Sequence, residues 1–279
     1  MSPKTSPLEK DVESSVRDFY DSYGWIGGNK GSGEDDSFRQ FYPSYHDYHA
    51  DVELRTLAAL APWEGELLIA GGGDLPDNHV TIASKFDRVA CIDISQRARK
   101  IAASRLGKNA EIIDGSILDL PMKDSRFDTV FCSHVIYHID RNLQETAVSE
   151  LLRVTKPGGR VVILYSNPHS PIRYAAGTIH KASNVFLKLF CKRAPKAKGS
   201  RPDLYFYPHS LSWWNRFKHQ ADLEIQPWDV IGSYEERTLI MNDWIAKRFY
   251  RAAHWLEFKS PALSVHLWQY LTVILDKHP

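Results

Sequence analysis

Between residues 66 and 165 short apolar runs alternate with amphipathic segments. ELLIA, RVACID, AEIID, FDTVFCSH and GRVVILYS read as strands, because each is a run of four to eight mostly apolar residues rich in β-branched and aromatic side chains. SQRARKIAASRL and NLQETAVSELLRVT repeat their apolar positions at three- and four-residue spacing, which predicts helices; Lys156-Pro157-Gly158-Gly159 ends the second and turns into the next strand. Strands that are nearly continuous in Val, Ile and Leu and alternate with helices predict an α/β fold, with a parallel sheet covered on both faces. Residues 1–65 form an N-terminal aromatic and helical segment. The Gly/Ser/Asp centre of VRDFYDSYGWIGGNKGSGEDD predicts a mobile loop, and FRQFYPSYHDYHADVELRTLAALAP is helical toward its end. Beyond the core, 166–210 reads as an insertion, SLSWWNRF as a helix, ADLEIQPWDVIG as a strand, and HLWQYLTVILDK as containing a last β-rich run paired with it. No internal repeat is evident.

Composition narrows the classes. A chain of 279 residues buries a substantial core, and 35 Lys+Arg against 34 Asp+Glu give no overall attraction to a polyanion. Cys91, Cys132 and Cys191 are odd in number and far apart, which argues against a disulfide framework and for a reducing compartment. The opening MSPKTSPLEKDVESS carries no apolar signal region, and no run approaches the roughly 18 apolar residues of a membrane span. The expected location is cytoplasmic.

Candidate chemistry starts in LLIAGGGDLPDN, where a strand breaks into three glycines. Glycines at such a junction let backbone amides approach a ligand closely. Asp93 ends the second strand 20 positions after Gly73, where a carboxylate can accept from both hydroxyls of a ribose. Together they indicate an adenosine-containing cofactor. A dinucleotide fingerprint asks for Gly or Ala where Pro76 stands, which disfavours a nicotinamide-dependent oxidoreductase.

ACIDIS, GSILDLP, FDTVFCSHVIYHI and LLRVTKPGGRVVIL follow in the order of the motifs of class I S-adenosylmethionine-dependent methyltransferases of the broad small-molecule type, which residues 65–165 resemble closely. The resemblance implies a Rossmann-like domain over 66–279, with a mostly parallel seven-stranded sheet, helices on both faces, an antiparallel last strand, and cap insertions at 166–210 and 233–265. It implies S-adenosylmethionine as cofactor. Gly71 and Gly73 line its methionine half, Asp93 holds the ribose, Ile94 lies against the adenine, Ser116 and Ile117 meet the adenine edge, and Ser133 and His134 face the methionine moiety and the methyl. The sequence departs from the family at two points of the loop: Ile69 stands where an acid is usual and Leu75 where the third glycine is. The missing polar contact is then expected from Asp74 or Asp77. A catalytically silent partner-binding protein on this fold is the alternative these departures raise.

Other clusters have plainer readings. His134, Tyr137 and His138 share one strand-to-helix junction; His134, Tyr137 and His209 are the candidate general bases. His46, His49 and Asp51 form an incomplete metal set and read as a solvated helix face, so no metal is expected. Tyr20, Tyr23 and Trp25 are core or a lid with rings near the sulfonium. From Leu151 to Pro202 there is no Asp or Glu, and within this stretch 171–193 reads as a basic amphipathic helix. It packs on the core, meets an anionic acceptor or touches a membrane surface; nucleic acid is not expected as a partner. The expected reaction is O-methylation of a small hydroxylated or glycan-like acceptor, possibly anionic or lipid-linked, with carbon or nitrogen methylation as the alternative. Nothing in the sequence sets the oligomeric state.

Overall fold

The computed structural model describes residues 7–23, 42–190 and 204–279, with side chains described at 12–23, 42–180 and 204–279. Seven strands form one sheet in the order β3-β2-β1-β4-β5-β7-β6. They are β1 (Glu66–Ala70), β2 (Arg88–Asp93), β3 (Ala110–Asp114), β4 (Phe127–Ser133), β5 (Thr155–Ser166), β6 (Ala221–Pro227) and β7 (Tyr270–Lys277). The first five are mutually parallel where they pair, and β7 runs antiparallel to both β5 and β6. The strands read from the apolar runs are therefore present, in the mostly parallel arrangement expected.

Because side chains alternate across a strand, the sheet has two apolar faces. Leu68, Val130, Cys132, Val161 and Ile163 pack with Ala147 and Leu151 of helix α5 (Gln144–Val154) and with Trp214. Leu67, Ile69, Phe131, Val162 and Leu164 pack on the other face with Leu60, Ile82 and Ala102, from or beside α2 (Pro43–Ala59), α3 (Asp77–Ala83) and α4 (Gln96–Leu106). Ser95 starts α4 as its N-cap, its hydroxyl accepting from the Ala98 amide at 3.1 Å.

Several boundaries differ from expectation. Strand β5 begins at Thr155, so Lys156-Pro157-Gly158-Gly159 lies inside it, and the register shift between Phe127 and Thr129 absorbs the turn. The last strand falls within HLWQYLTVILDK as expected, at Tyr270–Lys277, and residues 266–267 before it end a helix. SLSWWNRF is a 3-10 helix over Leu211–Phe217, and it sends Trp213, Trp214 and Phe217 into the core.

Helix α1 (Pro7–Ser22) lies beside α4, and α6 (Pro171–Phe190) follows β5. The 233–265 segment holds α7 (Ser233–Leu239), α8 (Asp243–Lys259) and the start of α9 (Pro261–Leu267). Tyr45, Tyr48 and Val52 of α2 pack with Tyr250 and Ala253 of α8 and with Trp268, so residues 43–59 share an apolar core with this helical layer. The glycine-rich centre of the N-terminal segment, Trp25 and Cys191 lie outside the described residues. No helix among the described residues is long and apolar enough to cross a membrane.

Candidate active site

A cavity of about 1200 Å³ opens along the edge of the sheet where the parallel strands end. Strand order reverses between β1 and β4, so the loops leaving them diverge and leave a crevice, the usual ligand position in such sheets. Strand β7 is antiparallel, which brings its first residue, Tyr270, to the same edge, opposite Ser166. From Asp93 on β2 to Tyr270 on β7 is four strand spacings, roughly 19 Å. The crevice is long enough for an extended nucleoside ligand and a second molecule.

Gly71 has φ +76°, and a Cβ built there would lie 2.4 Å from Val135 Cγ2, so only glycine fits between the ends of β1 and β4. Its amide donates to the Ile92 carbonyl at 2.8 Å, tying the loop to β2. Asp93 accepts from the Gly73 amide at 3.0 Å on one carboxylate oxygen and from the Ser95 amide at 2.8 Å on the other. Burial raises its pKa, and those amide bonds oppose the rise. The carboxylate stands on the cavity wall with acceptor capacity remaining, since each oxygen carries two lone pairs. A strand-end acid beside a loop that excludes Cβ suits a ribose and the chain attached to it.

The sequence-derived residues Gly71, Gly73, Asp74, Asp93, Ile94, Ser116, Ile117, Ser133, His134 and Tyr137 all line this cavity. Ser116 donates its hydroxyl to Glu13 of α1 at 2.7 Å. Asp21 of the same helix accepts from the Ser95 hydroxyl at 2.6 Å and from the Arg97 amide at 3.2 Å, so two carboxylates seat α1 across the mouth at the Asp93 end. Val16 and Phe19 bury beneath it.

His209 is a correction: it lies away from the cavity. Its ring stacks on Trp213 at 4.6 Å, its Nε2 meets the Arg141 carbonyl at 3.2 Å, and its amide donates to the buried Tyr165 hydroxyl at 2.7 Å. Asp77 borders the cavity but is ion-paired with Arg105, its side chain 91% exposed, because it opens α3 on the solvent side. Asp114 pairs with Arg99 at 2.8 Å, away from the cavity. Of the proposed apolar face of α6, Ala176 is buried, whereas Ala175 and Ile179 are exposed; Ile179 and His180 border the cavity. The residues of that face and basic stretch from 181 onward lie outside the described side chains. His46 is exposed, and His49 is shared between Glu53 at 3.7 Å and buried Asp229 at 3.9 Å. No group of three metal-ligating side chains occurs among the described residues.

In the far half of the cavity the sequence-derived His134 is joined by rings that the sequence did not bring together with it. His134, at φ +60° just past β4, sets its ring 4.9 Å from Trp228 and 5.3 Å from Tyr270, both edge-on. Tyr45 stacks on His49 at 5.1 Å, and His49 meets Trp228 at 6.3 Å. These rings come from α2, β4, the end of β6 and the start of β7, and they form an aromatic slot beyond the strand-end loops. His79, on α3, also lines the cavity; it is 7% exposed, packs edge-on to Phe131 at 4.9 Å, and burial first and then His134 push its pKa down to about 3. His138 is likewise pushed down, to about 4, by burial.

Residues 70–163 match the family model described as a methyltransferase domain. The demethylmenaquinone methyltransferase of Clavibacter sepedonicus is 28% identical over 159 residues, 55% of this chain and 61% of its own length. The ubiquinone/menaquinone biosynthesis C-methyltransferase of Ectopseudomonas mendocina is 31% identical over 123 residues, 42% of this chain and 47% of its own. The chain thus spans about half the length of these curated relatives. Among solved structures, geranyl diphosphate C-methyltransferase from Streptomyces coelicolor, in complex with Mg2+, geranyl diphosphate and S-adenosyl-L-homocysteine, superposes with a TM-score of 0.55 at 16% identity, covering 99% of this chain and 100% of that one. At that identity the likeness speaks for the fold alone. Fold, motif order and the matched domain agree: the chain has the fold of class I S-adenosylmethionine-dependent methyltransferases, and its residues 70–163 match a methyltransferase domain.

Proposed function

We propose that the protein transfers a methyl group from S-adenosylmethionine to a small hydroxylated ring. The observation that carries this reading is one continuous cavity, with a glycine loop and strand-end acid at one end and an aromatic, histidine-bearing slot at the other. Asp93 would hold the ribose, Gly71 and Gly73 the methionine portion, Ile94, Ser116 and Ile117 the adenine, and Ser133 the backbone near the methyl. Helix α1, seated through Glu13 and Asp21, acts as a lid. When bound, the cofactor supplies a methyl carried on a sulfonium, with a neutral thioether as leaving group.

The protein's main task is alignment. Trp228, Tyr45 and Tyr270 hold a flat acceptor, and positioning of this kind contributes about 7 to 11 kcal/mol to lowering a bimolecular barrier. His134 removes the acceptor hydroxyl proton as the oxygen attacks, a contribution of roughly 10²- to 10⁴-fold. Tyr137, 5% exposed and packed against Tyr165 and Phe206, shapes the wall beside it. The favoured product is the O-methyl ether. Carbon methylation is the second reading, favoured by the curated relative named as a ubiquinone/menaquinone biosynthesis C-methyltransferase. Both share the first step, because a deprotonated ring hydroxyl makes its oxygen and its ortho carbon nucleophilic.

The test is incubation with S-adenosylmethionine carrying a ¹³C methyl and a panel of phenols, catechols and hydroquinones. Methyl resonances in the O-methyl or the C-methyl region of the product spectrum decide between the two readings. Absence of calorimetric binding of both S-adenosylmethionine and S-adenosylhomocysteine by the purified protein would sink both.

A further inference from the structure

The two halves of the cavity differ in charge. Carboxylates gather at the cofactor end and are engaged there: Glu13 by Ser116, Asp77 by Arg105, and Asp93 by the Gly73 and Ser95 amides. On the acceptor side Glu53 stands 3.7 Å from His49. Against this, Arg237 is the one Lys or Arg side chain on the cavity wall among the described residues. It forms no ion pair among them.

Its own helix supplies no counter-ion. Glu235 and Glu236 are buried, and Glu236 accepts from the Tyr250 hydroxyl at 2.7 Å inside the cap. Tyr234, Arg237 and Thr238, at positions i, i+3 and i+4, share one face of α7 and border the cavity together. Across from them α6 contributes His180, whose ring lies edge-on to Tyr234 at 5.5 Å. Helix α6 belongs to the stretch from Leu151 to Pro202 that contains no Asp or Glu. An unpaired guanidinium and an imidazole therefore meet at one corner beside Tyr234, where the Thr238 hydroxyl donates to the Tyr234 carbonyl at 2.9 Å and Glu235, whose charge reaches Tyr234, stays buried.

We propose that this α6–α7 corner is a subsite for the anionic oxygens of the acceptor, a carboxylate or a phosphate, received by Arg237 with His180 while the ring occupies the aromatic slot. The word acceptor rests on the methyltransferase reading; the anion site itself does not. A planar guanidinium matches either oxyanion in a two-point arrangement, which lysine does not reproduce.

The experiment is calorimetry on the full chain, saturated with S-adenosylhomocysteine, using three probes of similar shape: 2-naphthol, 2-naphthoate and 2-naphthyl phosphate. The anionic probes are expected to bind at least about tenfold more tightly than 2-naphthol, the gain of one charge-assisted pair. The tighter of the two names the anion. Arg237→Gln should erase that preference while leaving 2-naphthol and S-adenosylhomocysteine affinities unchanged, and Arg237→Lys should retain part of it. Anionic probes no tighter than 2-naphthol, or a preference that survives Arg237→Gln, overturn the proposal. Failure of S-adenosylhomocysteine to bind, with the Arg237-dependent anion preference intact, would instead count against the methyltransferase reading and leave this one standing.

Discussion

His79 offers a test of how dry the cavity wall is. It is 7% exposed, its Nδ1 has no hydrogen-bond partner among the described residues, and burial, with His134 nearby, lowers its pKa from 6.5 to about 3. In the unfolded chain it binds a proton as the pH falls through about 6.5, whereas in the folded protein it does not until about 3. Between those values the unfolded state holds more protons, so stability is full above the upper one and declines as the pH drops toward the lower. At about pH 5 the loss relative to about pH 7.5 is roughly 2 kcal/mol for this one group. That pH lies well above the folded-state value, so the unfolded-state value sets the figure. His79→Phe keeps an aromatic ring against Phe131 and removes the titration. Urea unfolding of both proteins at the two pH values isolates the term, since contributions from carboxylates and from His138 are common to both and cancel. The substitution is expected to shrink the acid-induced loss by about 2 kcal/mol. Equal losses in both proteins would refute the claim that His79 is neutral and desolvated in the fold.

Three further outcomes follow from the site. Asp93→Asn should weaken S-adenosylhomocysteine binding about tenfold to a hundredfold by calorimetry, the scale of hydrogen bonds to a charged group, and an unchanged affinity would remove the ribose assignment. Gly71→Ala forces a Cβ to 2.4 Å from Val135 at φ +76°, so cofactor affinity should collapse and thermal unfolding should move down by the equivalent of at least about 1–2 kcal/mol. His134→Gln should lower kcat by about 10²- to 10⁴-fold with cofactor affinity retained, while His209→Ala should leave kcat within about twofold; comparable losses in both would contradict the assignment of the base to the cavity.

How much of this was legible in the sequence follows from what each feature depends on. The strands from 66 to 166 and helices α4 and α5 could be read because their periodicity is local. The strand-end half of the cavity was legible for the same reason: Gly71, Asp93 and Ser116 lie at or just past the ends of consecutive strands, and a parallel sheet delivers such ends to one edge. The aromatic slot was not, because Tyr45, His134, Trp228 and Tyr270 meet only after α2 packs on α8 and an antiparallel β7 is inserted between β5 and β6. His209 misled for the opposite reason. Its segment is tied down over the β4–α5 junction, with the Tyr207 amide donating to the Tyr137 carbonyl at 2.8 Å, so nearness to a cavity residue along the backbone does not carry its ring into the cavity.

The two odd residues of the glycine loop account for each other. Leu75 takes φ +50° where the family has glycine, a conformation costing a branched residue about 1–2 kcal/mol. Its side chain is fully buried in the same apolar cluster as Ile69 and Phe131, which returns about 1.5–3 kcal/mol. A carboxylate at position 69 would enter that cluster, where Leu75 and Phe131 offer it no hydrogen bond and the desolvation would be uncompensated. Losing the acid therefore permits the leucine, and the leucine in turn plugs the loop from below: its Cδ1 lies 3.1 Å from where a Gly72 Cβ would stand. The loop is held by an apolar anchor beneath and by the Asp93–Gly73 bond above, so the departure from the family pattern changes how the glycine turn is supported and leaves Gly71 and Gly73 on the cavity wall.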